Sequence, residues 1–167
     1  SQFTDSYIGS NTIKNIGLVM GAAHATSWEN AHNAIMLGEA SYPQWGNTST
    51  IIEHNNIDSI AYMGIVIIGR NITIRYNFIN HSCMRLNDGG GIYTGCLNNG
   101  PGVRNNIIRK NVVLNTLGNH DMTTHSYHDA RGIYLDDYNR DVIVDSNTVA
   151  FASSSSFYLR GGRKCTI

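Results

Sequence analysis

Charge is scarce in this sequence. Asp, Glu, Lys and Arg together supply 14% of its 167 residues, against roughly 25% in an average soluble domain. Its surface is therefore not that of a charged helical protein. Twelve basic residues balance twelve acidic ones, which leaves no global field to draw in nucleic acid or an anionic membrane. Cysteine is sparse too. Cys83, Cys96 and Cys165 show no metal-ligand spacing, and an odd number cannot all pair within the chain. They read as buried thiols, with a Cys83–Cys96 bridge as the alternative. No apolar run approaches the roughly 20 residues of a membrane span, and no signal-peptide pattern is present. What is left is a chain of about one domain, residues 1–167, with 41% apolar residues and enough length to bury a core.

Its organisation comes from a repeat. TIIEHNNI at 50–57, ITIRYNFI at 72–79, NIIRKNVV at 106–113 and VIVDSNTV at 142–149 share one template, h-x-x-N-x-h, centred on Asn55, Asn77, Asn111 and Asn147. IGSNTI at 8–13 adds Asn11. A second column runs in phase: AIML at 34–37, GIVI at 64–67, GIYT at 91–94, GIYL at 132–135 and SFYL at 156–159. Each alternates with the period of two that a half-buried strand requires, and neither column has a helical period. Asparagine after a strand suits a tight corner, where it tolerates left-handed geometry, and stacked asparagines can form a hydrogen-bonded ladder. The reading is an all-β solenoid of about five to six coils, a parallel β-helix in which no coil buries its apolar face alone. An antiparallel sandwich also uses many short strands, but two strand types repeating in phase argue against it. The sequence starts at Ser1 without a methionine and stops at Ile167 within an apolar alternation. It reads as part of a longer solenoid, with further coils or another chain expected to cap its ends.

The second column carries the candidate chemistry. Its outward positions are Met36, Val66, Tyr93, Tyr134 and Tyr158, so three tyrosines are expected on successive coils about 4.8 Å apart. Exposed, such a row suits the faces of sugar rings; covered, it would only pack the sheet. Asp88 in LNDGGGIY and Asp129 in YHDARGIY share one register ahead of the tyrosine strand, and Asp136 and Asp137 follow it, one of them expected as a third catalytic participant. Paired carboxyls are what glycoside hydrolysis needs, one as general acid and one as nucleophile or base. Each aspartate taken singly reads as a turn residue. The insertion at 114–131 carries His120, His125 and His128. Their spacing matches no zinc motif, so no metal is assigned, and His128 is the one expected to touch substrate. His24, His32, His54 and His81 read as loop or turn residues. Arg160, level with Asp136 one coil later, and Arg163 are expected either to bind an acidic group on the substrate or to pair with Asp136 or Asp137.

NDGGGIYTG at 87–95, GIYLDD at 132–137, the h-x-x-N-x-h blocks and FYLRGGRKCTI at 157–167 together resemble the right-handed parallel β-helix proteins common among carbohydrate-active enzymes. Within that superfamily the chain looks most like glycoside hydrolases of the family 141 type. That resemblance implies a catalytic aspartate pair on neighbouring coils, for which Asp88 and Asp129 are the matching positions. The expected activity is hydrolysis of a polysaccharide, outside the cell or in the periplasm, with no cofactor. A polysaccharide lyase is the alternative enzyme, with Arg131, Arg160 or Arg163 as base and Ca2+ held by the aspartates. A non-catalytic surface or fibre protein that at most binds glycan is the third reading. Sequons at Asn47, Asn71 and Asn80 would accept glycans in a glycosylating pathway.

Overall fold

The computed structural model describes residues 5–19, 32–38, 47–95, 103–119 and 127–167. Among these residues the chain is all-β, with no helix. It opens with β1 (Tyr7–Gly9), β2 (Thr12–Ile16) and β3 (Ile35–Leu37), one in each of three sheets. A short β4 (Asn47–Thr48) leads into β5 (Ile51–Glu53), β6 (Asn56–Ile60) and β7 (Ile65–Ile67), which visit the same sheets in the same order. β8 (Gly69–Arg70) then leads to β9 (Thr73–Arg75), β10 (Phe78–Ser82) and β11 (Gly89–Thr94). Two more rounds follow, β12 (Ile107–Arg109), β13 (Val112–Thr116) and β14 (Ala130–Leu135), then β15 (Ile143–Asp145), β16 (Thr148–Ala150) and β17 (Ser155–Leu159). Each sheet therefore holds five parallel strands, one per circuit of the chain. This arrangement is consistent with a parallel β-helix.

Alternation decides what lies inside. Ile52, Ile74, Ile108 and Val144 come from the first sheet, Ile57, Ile79 and Val113 from the second, and Ile65, Ile92 and Ile133 from the third. All are buried in one cluster. Burying an isoleucine or valine side chain contributes roughly 1.5–3 kcal/mol, and here every circuit adds several.

The corner between the first and second sheets carries the asparagine ladder. Asn11, Asn55, Asn77 and Asn111 each donate through Nδ2 to the Oδ1 of the next ladder residue at 2.9–3.0 Å, ending on Asn147. The backbone N–H of each donates to that same oxygen. From Asn55 onward, Nδ2 also reaches back to a main-chain carbonyl one circuit earlier, such as Ile52 for Asn77 and Ile74 for Asn111. One geometric expectation is corrected. The left-handed residue is the one before each asparagine, namely Ser10, His54, Tyr76, Lys110 and Ser146, with φ between 55 and 58°. A non-glycine residue there costs on the order of 1–3 kcal/mol, and the ladder bonds offset it.

On the outer face of the first sheet the charges are matched. Glu53, Arg75, Arg109 and Asp145 stand in one register column. Arg75 Nε donates to Glu53 at 2.6 Å and Arg109 Nε to Asp145 at 3.0 Å. These hydrogen bonds from arginine lower both carboxyl pKa values.

Two outcomes are expected. Asn111→Leu should destabilise the protein in urea by about 1–3 kcal/mol for each buried partner left unpaired, first among them the Asn77 backbone N–H, which donates to Asn111 Oδ1. Because folding lowers the Glu53 and Asp145 pKa values, their contribution is full above the usual carboxylate range, near pH 4, and is lost as pH falls through the lowered values. Thermal melts from pH 6 to 2 should therefore show an acid-side loss that Arg109→Ala makes shallower.

Candidate functional site

The candidate residues gather on the outer side of the third sheet. β11 and β14 are neighbours with Gly89 opposite Ala130 and Tyr93 opposite Tyr134, which sets Asp88 level with Asp129. The two backbones are joined there, Asp88 N–H donating to the Asp129 carbonyl at 2.7 Å. Buried Asn87 adds a clamp, accepting from Asp129 N–H through Oδ1 and donating to the Tyr127 carbonyl through Nδ2. The shared register of the two aspartates, read from the repeat, is thus met.

Arg131 joins their side chains. Its Nη1 donates to Asp88 Oδ1 at 2.7 Å and its Nη2 lies 2.9 Å from Asp129 Oδ1. Those two contacts on one guanidinium hold the bonded oxygens at most about 8 Å apart, below the upper limit of roughly 9.5 Å for paired glycosidase carboxylates. Accessibility differs across the trio: the side chain of Asp88 is 60% exposed, that of Asp129 18% and that of Arg131 11%. Burial by itself would lower the Arg131 pKa, but the charge of Asp129 and the hydrogen bond to Asp88 outweigh it and raise the value. The two carboxylates are therefore each ion-paired to the one guanidinium.

The tyrosine row is in register, with Tyr93, Tyr134 and Tyr158 aligned on successive strands, but it is not the open platform expected. Tyr93 is 7% exposed and Tyr134 1%; only Tyr158, at 37%, faces solvent. The cause is a second apolar cluster outside the main core, where Tyr62, Met63, Cys83 and Ala130 pack with Tyr93 and Tyr134. Tyr93 and Tyr134 meet edge to face at 5.2 Å. The Arg131 guanidinium lies 4.7 Å from the Tyr134 ring and 4.8 Å from that of Tyr158, as a cation over two aromatic faces. Burial raises the hydroxyl pKa values of Tyr93 and Tyr134, and for Tyr93 the charge of Asp136 adds to it. The row is a packing element with one open ring at its end.

Asp136 and Asp137 are not brought to the Asp88 pair by any hydrogen bond or ion pair among the described residues. Asp136 Oδ2 accepts from the Tyr93 hydroxyl at 2.9 Å, and its Oδ1 lies 3.6 Å from Arg160 Nη1. Arg160 Nε is 4.0 Å from Asp137. Of the two expectations for Arg160, pairing with both aspartates is the one present. Arg163 instead stands level with Arg140 on the circuit before. His128 is exposed, with Nδ1 bonded to the Gly118 carbonyl. His120, His125, His24 and Cys96 lie outside the described residues. Cys83 is a buried free thiol whose pKa burial raises, and Cys165 is a half-buried one. Among the described residues no group of three or more His, Cys, Asp or Glu side chains lies close enough to hold a metal ion, and no helix is long and apolar enough to cross a membrane.

Sequence reasoning considered Arg131 only as a base, and missed Asn87, Tyr62 and Met63. The apolar pairs in AYMG at 61–64 and SCMR at 82–85 were the available signal. They place large side chains ahead of the third-sheet strand, where they cover its outer face. No family model matches this chain, and neither does any curated protein or solved structure.

Burial makes the tyrosines unequal under mutation. Tyr134→Ala is expected to cost about 3–5 kcal/mol in urea unfolding, as for other buried aromatics, and Tyr158→Ala markedly less. Equal, small losses would mean that the Tyr134 ring is not covered.

Proposed function

We propose that this chain cleaves a polysaccharide as a glycoside hydrolase outside the cell or in the periplasm, its circuits winding as a right-handed parallel β-helix and Asp88 and Asp129 forming the carboxylate pair. The observation that carries this reading is the convergence of two aspartates from neighbouring circuits on Arg131, no farther apart than paired glycosidase carboxylates are. Hydrolysis divides the work between them: one carboxyl protonates the glycosidic oxygen, and the other attacks the anomeric carbon or activates water. Asp88, the open member, is the first of the two that a substrate would reach. Arg131 orients both, and the Tyr158 ring beside it offers a face to a sugar. The lyase reading is weaker, because an arginine base has to lose a proton. The neighbours of Arg131 and Arg160 raise both pKa values, for Arg160 chiefly through the Tyr134 hydroxyl and the Asp136 charge.

A second reading has its own observation. A guanidinium bonded to two carboxylates and stacked on two rings is also how a protein pins one circuit to the next, which suits a non-catalytic glycan-binding or fibre role. Incubation with a panel of plant and algal polysaccharides separates them, scored for reducing ends and for the absorbance of unsaturated products. Reducing ends alone are expected. Asp88→Asn and Asp129→Asn should each then lower kcat by several orders of magnitude, with folding checked by melting temperature. Unsaturated products would turn the assignment to a lyase. No cleavage of any substrate, or near-full activity in both variants, would leave Asp88, Arg131 and Asp129 as a structural pin.

A further inference from the structure

A different corner of the circuit, between the third sheet and the first, carries an arginine column that the aspartate site does not use. Arg70, Arg104, Arg140 and Arg163 are joined in sequence by parallel bridges, so the four occupy one register position on four successive circuits. Main-chain bonds lock them there. Arg140 N–H donates to the Val103 carbonyl at 3.0 Å, Arg163 N–H to that of Asn139 at 2.8 Å, and the Arg140 carbonyl accepts from Asn105 N–H at 3.0 Å. The residue after each arginine, namely Asn71, Asn105, Asp141 or Lys164, is left-handed with φ of 53–56°. At the spacing of parallel strands, about 4.8 Å, the column runs about 14 Å along the protein.

Its charges are not matched as those of the Glu53–Arg75–Arg109–Asp145 column are. Among the described residues no ion pair within 4.0 Å joins any of the four arginines to a carboxylate, whereas Arg75, Arg109, Arg131 and Arg160 each have one. A chain of zero formal net charge has thus gathered four of its twelve cations into one unpaired row. Like charges so spaced repel one another, and a counter-charge spread along a line relieves that repulsion.

The first three arginines line an open depression of about 520 Å³ together with Ser49, Asn71, Asn105 and one acidic residue, Asp141. Asn105 Nδ2 donates to Asn71 Oδ1 at 3.2 Å, so a row of amides runs beside the row of guanidiniums. Guanidinium forks match sulfate and carboxylate oxygens two at a time, and amides bond sugar hydroxyls. Among the described residues no aromatic ring lines the depression, so those residues offer no base-stacking platform of the kind single-stranded nucleic acid uses.

We propose that this arginine column is a binding site for a linear anionic glycan, one that carries sulfate esters or carboxylates along its length. The site is separate from the Asp88–Arg131–Asp129 cluster and does not rest on the hydrolase reading, and its test measures binding without turnover. Titration calorimetry at low salt compares a sulfated maltohexaose, a hexagalacturonate, unmodified maltohexaose and a thymidylate hexamer. At least one of the two anionic hexasaccharides is expected to bind ten times or more tighter than maltohexaose, and the stronger of them identifies the acid. That affinity should fall as salt rises. Arg104→Gln with Arg140→Gln should weaken it tenfold or more at unchanged melting temperature. If the double variant does not fold, Arg140→Gln alone, at an exposed position, is expected to weaken it at least threefold. The proposal is overturned if neither anionic sugar is preferred to maltohexaose, if the folded variants bind as the wild type does, or if the thymidylate hexamer binds as tightly as the better sugar.

Discussion

An asparagine amide that donates to the next asparagine's oxygen, while its own N–H reaches the same atom, fixes how far one circuit of the chain can slide against the next. That constraint governs the rest of the structure. Strand side chains alternate with a period of two, so a slip of one residue would turn Ile74 or Ile108 outward and bring Thr73 or Arg109 in. The same slip would part Asp88 from Asp129 and stagger the arginines. Ordinary parallel ladders tolerate slippage where both faces are similar. Here buried polar groups that bond in one register only make the alternative costly.

With register fixed, each column along the circuits becomes a surface of its own, and the columns differ in how they are completed. Glu53, Arg75, Arg109 and Asp145 neutralise one another in place. Tyr93 and Tyr134 are covered by Tyr62, Met63 and Cys83, and Arg131 lies over Tyr134 and Tyr158 at the end of that apolar patch. Asp88 and Asp129 share that arginine, which leaves Asp88 open and Asp129 half-sheltered. Arg70, Arg104, Arg140 and Arg163 have no such completion among the described residues. A matched or covered column contributes to stability; an open one is available to a ligand.

The parts of this arrangement that repeat were legible in the sequence. The ladder asparagines and the alignment of Tyr93, Tyr134 and Tyr158 follow from spacing alone, because every circuit rewrites the same positions. What the sequence hid lies between repeats or depends on a neighbouring circuit. The cover over the tyrosines comes from Tyr62, Met63 and Cys83, which belong to no repeating position. The left-handed corner falls on Ser10, His54, Tyr76, Lys110 and Ser146, which are of four different residue types, so the asparagines beside them drew the expectation instead. The link through Arg131 depends on a side chain crossing to the preceding circuit, which no spacing reports. The arginine column had a signal that was not used: Arg70, Arg104 and Arg140 each stand seven residues ahead of a ladder asparagine, at Asn77, Asn111 and Asn147.

The claim on which the candidate site turns is that two circuits meet at one guanidinium. A double-mutant cycle tests it most directly, with urea unfolding of the wild type, Asp88→Asn, Asp129→Asn and the double variant. Side chains that share a partner show coupling energies of about 0.5–3 kcal/mol, while independent sites add within about 0.3–0.5 kcal/mol. Coupling in the first range, abolished when Arg131 is replaced by methionine, is the expected result. Additive losses, or coupling that survives Arg131→Met, would contradict a shared guanidinium and with it the pairing of Asp88 and Asp129.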